Sequence, residues 1–144
     1  MATPFLCDTN IISELMRPQP QPDVRRWLEA QEIILLSVLS LEELHFGLQR
    51  KNLHQKRDWL DRFVAARCEC LPIDARIAIR AGEMRGELAK KGQTRTQADL
   101  LIAATATSHQ AILATRNTRD FENLNLPLFN PFIIHNSSFI IHPS

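Results

Sequence analysis

Residue 8 constrains this chain more than any other position. A short apolar run, Phe5-Leu6-Cys7, stops at Asp8, and apolar residues then return at Ile11, Ile12 and Leu15. The first pattern has the length of a buried strand and the second has helical spacing. Asp8 therefore stands where a strand ends and a helix begins. In an open parallel sheet that edge is where ligands bind. Asp is also among the best helix N-caps, so taken alone the position has a purely structural reading. Whether other acids reach the same edge decides between the two.

The rest of the chain repeats the alternation. Pro18, Pro20 and Pro22 form a stiff linker, and Asp23 to Ala30 has the apolar face of a short helix (Val24, Trp27, Leu28). Residues 33 to 36 form a second buried strand. Residues 37 to 49 return to helical spacing with Gly47 inside, which predicts close packing of that helix against a neighbour. Residues 53 to 67 give another amphipathic helix, rich in base. Residues 68 to 73 read as a strand whose Pro72 suits a sheet edge. Asp74 opens a long helix to about Lys91, closed by Gly92, with Glu87 and Lys91 spaced as an i,i+4 pair. Thr96-Gln-Ala-Asp99 starts an alanine-rich helix, Ala111 to Thr115 is a short strand, and Leu126 to Ile134 could add an edge strand. Strands separated by helices in this order predict a mainly parallel sheet covered on both faces. The expected domain spans residues 1–132, and residues 133–144 form a tail without a clear pattern.

Several function classes drop out. The four glycines make no GxGxxG or Walker loop, so nucleotide chemistry of those kinds is not expected. Cys7, Cys68 and Cys70 fit neither a disulfide framework nor a zinc site. There is no apolar run of membrane length and no secretory signal pattern, so a cytoplasmic location is expected. A net charge of +1 does not announce a nucleic-acid binder; the surplus of base between Arg50 and Arg67 is local, a solvated helix face or a secondary RNA contact.

Four acids occupy comparable places: Asp8 after the first strand, Glu43 in the helix after the second, Asp99 in the helix before the fourth, and Asp120 in the loop that leaves it. Each also has a capping explanation. Ser40-Leu-Glu-Glu43 and Thr96-Gln-Ala-Asp99 match the capping-box pattern, and Asp120 could begin a one-turn helix. Gathered at one sheet edge, four carboxylates repel unless a cation neutralises them. Oxygen ligands of this kind suit Mg²⁺ or Mn²⁺, which act on phosphate esters.

The pieces Leu6-Cys-Asp-Thr-Asn-Ile11, residues 37–47, Ala98-Asp-Leu-Leu-Ile-Ala-Ala-Thr-Ala106 and Thr115-Arg-Asn-Thr-Arg-Asp-Phe121, followed by Asn130-Pro-Phe132, make the chain resemble PIN-domain ribonucleases. Within that group it is most similar to the VapC-like toxins of bacterial type II toxin–antitoxin pairs. The resemblance covers residues 4 to about 132. It implies a three-layer α/β/α fold, Mg²⁺- or Mn²⁺-dependent endonucleolytic cleavage of RNA, a homodimer, and a cognate antitoxin that covers the site. It carries Asp8, Glu43 and Asp99 over as metal-site acids, with Asp120 in the fourth, more variable place; many relatives have an acid where this chain has Asn117. Glu43 is preferred to Glu42 because Gly47 follows it at the family's usual spacing. Thr9, Asn10, Thr115 and Asn117 are polar neighbours. A catalytically silent PIN domain that only binds RNA or protein is the alternative. A haloacid-dehalogenase phosphatase would need a second Asp at Asn10, and a receiver domain an acidic pair and a lysine near Arg116.

Overall fold

The computed structural model describes residues 3–133. The expected tail, residues 133–144, lies outside the described residues except for Ile133. Five strands, β1 (Phe5–Cys7), β2 (Ile34–Ser37), β3 (Cys68–Leu71), β4 (Ile112–Ala114) and β5 (Leu128–Phe129), form one parallel sheet in the order β3-β2-β1-β4-β5. The helices are α1 (Thr9–Leu15), α2 (Pro22–Glu29), α3 (Val38–Arg50), α4 (His54–Arg67), α5 (Ala75–Lys90) and α6 (Gln97–Ser108), with 3₁₀ turns at Thr118–Phe121 and Pro131–Ile133.

Side chains that alternate along each strand build two cores. Leu6, Leu35, Leu71, Leu113 and Leu128 point to one face, where they pack with Ile77, Ala81 and Leu88 of α5 and with Leu100, Ile102, Ala103 and Ala106 of α6. Cys7, Ile34, Leu36, Ile112, Ala114 and Phe129 point to the other, against α1 to α4. The sheet lies between the two cores and contributes to both. This is the three-layer α/β/α architecture, with the PIN-like order of elements.

Local chemistry sets the element ends, and in several places it differs from the sequence reading. Pro22 is the first residue of α2 rather than linker, because its missing N–H is not needed in the first turn. Ser37 ends β2 and caps α3, accepting from Leu39 N at 3.1 Å, so Ser40 is one turn inside the helix and is not a cap. Thr96 does cap α6 through Asp99 N at 3.1 Å. Glu87 pairs with Lys90, 3.1 Å away, instead of Lys91; at i,i+4 the lysine is already the helix-ending residue. Gly92 closes α5 with φ +70°, its N–H bonded to Ala89 O and that of Gln93 to Leu88 O. That is the paired bonding of a Schellman end. β5 is only two residues long, since Pro127 and Pro131 bracket it. Close packing at Gly47 is not found: a Cβ there would meet nothing within 4 Å.

The topology places the site. The chain runs outward from β1 to β2 and β3, then returns to the other side of β1 as β4. The carboxyl ends of β1 and β4 therefore flank the point where strand order reverses, where an open α/β sheet has its crevice.

Candidate active site

Asp8 leaves β1 at that crevice. Its backbone N–H still bonds Ala114 O of β4, 2.8 Å away, and its side chain caps α1 through Thr9 N at 2.8 Å. The cap uses Oδ1 only. Oδ2 receives the Thr115 hydroxyl at 2.9 Å and Asn10 Nδ2 at 3.3 Å. The cap therefore occupies one carboxylate oxygen and does not by itself account for the other. Asp8 is buried, and burial pushes its carboxyl above the ordinary range; the Thr115 and Thr9 bonds pull it back, and the charges of Asp99 and Glu43 push it up again.

Glu43 comes from the second turn of α3. Its Oε1 lies 2.7 Å from Thr9 Oγ1, and Thr9 Oγ1 lies 2.9 Å from Ser40 Oγ. A hydroxyl has one proton and an ionised carboxylate only accepts. Thr9 therefore donates to Glu43, and the fully buried Ser40 donates to Thr9. Sequence reasoning missed Ser40 by reading it as a cap. The signal was its place three residues before Glu43, which puts both on one helix face.

Asp99 stands in the first turn of α6, half-buried. Burial raises its carboxyl; Thr96 lowers it, Asp120 and Glu43 raise it, and Arg95 lowers it. Asp120 lies in the 3₁₀ turn, whose Phe121 is buried in the core and anchors it. Arg95 donates to Asp120 O at 3.0 Å and to Thr94 O at 2.8 Å, which ties that turn to the start of α6. Asp8, Glu43, Asp99 and Asp120 are thus brought to one edge, where Asp99 and Glu43 raise Asp8 and Asp120 and Glu43 raise Asp99. Asn117 contributes its backbone N–H, which donates to Thr115 Oγ1 at 3.0 Å.

The donor set is all oxygen: four carboxylates with hydroxyl and amide neighbours, which suits a hard divalent cation. Among the described residues, no group of three or more His, Cys, Asp or Glu side chains is placed to hold a metal ion together.

The sequence pattern of the PIN domain family matches residues 5–125. The chain belongs to the PIN-domain family. It is 34% identical over 136 residues to the VapC ribonuclease Y4jK of Sinorhizobium fredii, which spans 89% of this chain and 97% of that protein. The crystal structure of FitAcB from Neisseria gonorrhoeae superposes with a TM-score of 0.78 at 33% identity, covering 90% of this chain and 99% of that one. VapBC2 from Rickettsia felis, solved bound to a DNA fragment from its promoter, gives 0.79 at 32% identity, covering 88% and 97%. In this PIN domain the motif acids sit on separate elements, and the parallel sheet's switch point gathers them. No helix among the described residues is long and apolar enough to cross a membrane.

Proposed function

We propose that this PIN-domain chain is a metal-dependent endoribonuclease, the toxin of a toxin–antitoxin pair, held inactive by a cognate antitoxin. The observation that carries the chemistry is the meeting of Asp8 and Asp99 at one sheet edge, both pushed toward protonation by burial and by neighbouring acids. The cap of α1 by Asp8 and the place of Asp99 in the first turn of α6 offset part of that cost, and a cation at the edge would offset the rest. The toxin role rests on the relatives: a VapC ribonuclease, and the toxin FitB of Neisseria gonorrhoeae, 34% identical over 139 residues.

In this reading Asp8 and Asp99 hold Mg²⁺ or Mn²⁺ directly, and Glu43 and Asp120 hold it through water. When bound, such an ion activates water and neutralises charge on a phosphodiester. Glu43 is exposed, and Thr9 engages only one of its oxygens, so the other is free to take the proton of the attacking water. Thr115 and Asn10 hold the Asp8 carboxylate in a fixed orientation, and Ser40 and Thr9 do the same for Glu43.

The test is cleavage of RNA by the purified chain with Mn²⁺, with Mg²⁺ and with excess EDTA. Turnover that EDTA stops, and that Asp8→Asn and Asp99→Asn each reduce by about a hundred-fold or more, supports the site. Tight RNA binding without chelator-sensitive turnover would instead identify a silent binding module. Light scattering tests the homodimer, and co-purification with the product of the adjacent reading frame tests the antitoxin.

A further inference from the structure

The acids explain how an ion is held, but they leave RNA with a problem. Four carboxylates exceed the charge of one divalent ion, and the substrate brings further negative charge. Some cation of the protein has to stand beside the site.

Arg116 follows Thr115 directly, and three contacts fix it. Its N–H donates to Asn10 Oδ1 at 3.2 Å, and the same Asn10 side chain bonds Asp8. Its carbonyl accepts from Asn130 Nδ2 at 3.3 Å, and Asn130 Oδ1 accepts from Phe132 N at 2.9 Å. Its guanidinium carbon lies 4.7 Å from the centre of the Phe132 ring. One asparagine thus sets both the arginine backbone and the ring on which its side chain lies. Phe132 is itself packed against the core on the α2 side of the sheet.

The guanidinium is nevertheless unspent. Among the described residues Arg116 forms no ion pair, and its side-chain N–H groups have no hydrogen-bond acceptor. Arg95 is the contrast, since it donates to the carbonyls of Thr94, Asp120 and Glu122 and serves the loop. A guanidinium oriented by an aromatic face, with its donors unused, is pre-organised for a bidentate phosphate contact.

We propose that Arg116, laid over Phe132 at the rim of the acid cluster, receives a phosphate of the RNA strand flanking the one that is cut. Its guanidinium rests on Phe132 and is not bonded to Asp8, so it addresses a neighbouring phosphate and leaves the reacting one to the ion that the acids would hold. This deepens, and rests on, the ribonuclease reading.

The experiment is cleavage of a single-stranded RNA oligonucleotide with Mn²⁺ across a KCl series, beside fluorescence anisotropy of the same labelled RNA. Arg116→Ala should raise KM about ten-fold and leave kcat within about two-fold. It should also reduce the slope of log affinity against log salt by about 0.7, the value for one phosphate of a single strand. Arg116→Lys should restore the slope while KM stays raised, and Phe132→Leu should raise KM with the slope unchanged. An Arg116→Ala protein with wild-type KM and slope, or one that loses kcat alone, overturns the proposal. A wild-type protein that binds RNA with the Arg116-dependent slope but never cleaves it would sustain the contact and sink the ribonuclease reading. One that binds no RNA would sink both.

Discussion

Thr115 Oγ1 lies 2.9 Å from Asp8 Oδ2, a buried bond between residues 107 apart in the chain. It ties the end of β4 to the end of β1 across the switch point. The same hydroxyl oxygen accepts from Asn117 N at 3.0 Å. Thr115→Val keeps the shape and removes both bonds, leaving a buried carboxylate oxygen and an amide short of a partner. The expected cost is about 1–3 kcal/mol in denaturant unfolding. Loss of that donor also raises Asp8 further, so half-maximal activity should require more Mn²⁺. Unchanged stability and an unchanged metal titration would show that the bond matters to neither.

Asp99 gives a pH prediction of definite sign. Its carboxyl is raised on folding, so between the unfolded and folded values the folded state holds more protons. Stability then falls as pH rises through that window and stays reduced above it. Metal-free protein should therefore melt lower at pH 7 than it would with Asp99 neutral, and Asp99→Asn should raise its melting temperature there. The carboxylate's favourable interaction with the first turn of α6, about 0.5 kcal/mol, works against this. The upward net shift means burial and like charge outweigh it. The gain should vanish below about pH 4, near the ordinary carboxylate value. Mn²⁺ should raise the melting temperature of the wild type more than that of the variant. Calorimetry from pH 4 to 8, with and without Mn²⁺, reads all of this.

The Ser40–Thr9–Glu43 chain of hydroxyls predicts a kinetic effect with little loss of fold. Thr9→Val removes the donor that fixes Glu43, and kcat should fall about ten-fold while the circular dichroism spectrum is unchanged. Thr9→Ser should recover most of it. Ser40→Ala should act in the same direction more weakly, since it loosens Thr9 and does not touch Glu43. A Thr9→Val protein with full kcat would remove Glu43 from the chemistry, or show that it needs no fixed position.

What the sequence made legible follows from range. Strand and helix identity rest on local periodicity, and β2 and β4 were readable because both their faces are buried. The candidate acids were readable because each sits at a strand end or in a first or second helical turn, positions that periodicity marks. What sequence left hidden was which oxygen does what. The Asp8 cap uses Oδ1 alone, which the sequence does not show, and Ser40 looked like a cap because Ser40-Leu-Glu-Glu43 fits the capping-box spacing, whereas the real cap, Ser37, has no acid three residues on. Nothing local announces that Arg116 and Asn130 meet, since that depends on β4 and β5 being neighbours.

Two glycines separate a correct reading from a mistaken one, and each yields a measurement. At Gly92 the backbone has φ +70°, a conformation that an L side chain adopts only at a cost, and its N–H helps to close α5. Gly92→Ala should destabilise by about 1 kcal/mol in spite of the empty space around it. Gly47 is inside α3 with ordinary helical geometry, and an added Cβ meets nothing within 4 Å. The packing partner expected from its presence is absent among the described residues, so only the helix propensity remains. Gly47→Ala should stabilise by about 1 kcal/mol. Chemical denaturation of the two variants beside the wild type gives opposite signs if this is right. If Gly47→Ala also destabilises, α3 has a close neighbour in solution that the isolated chain does not contain, such as a second protomer. Repeating the Gly47→Ala denaturation at several protein concentrations then decides, because a penalty from a second protomer would fade on dilution.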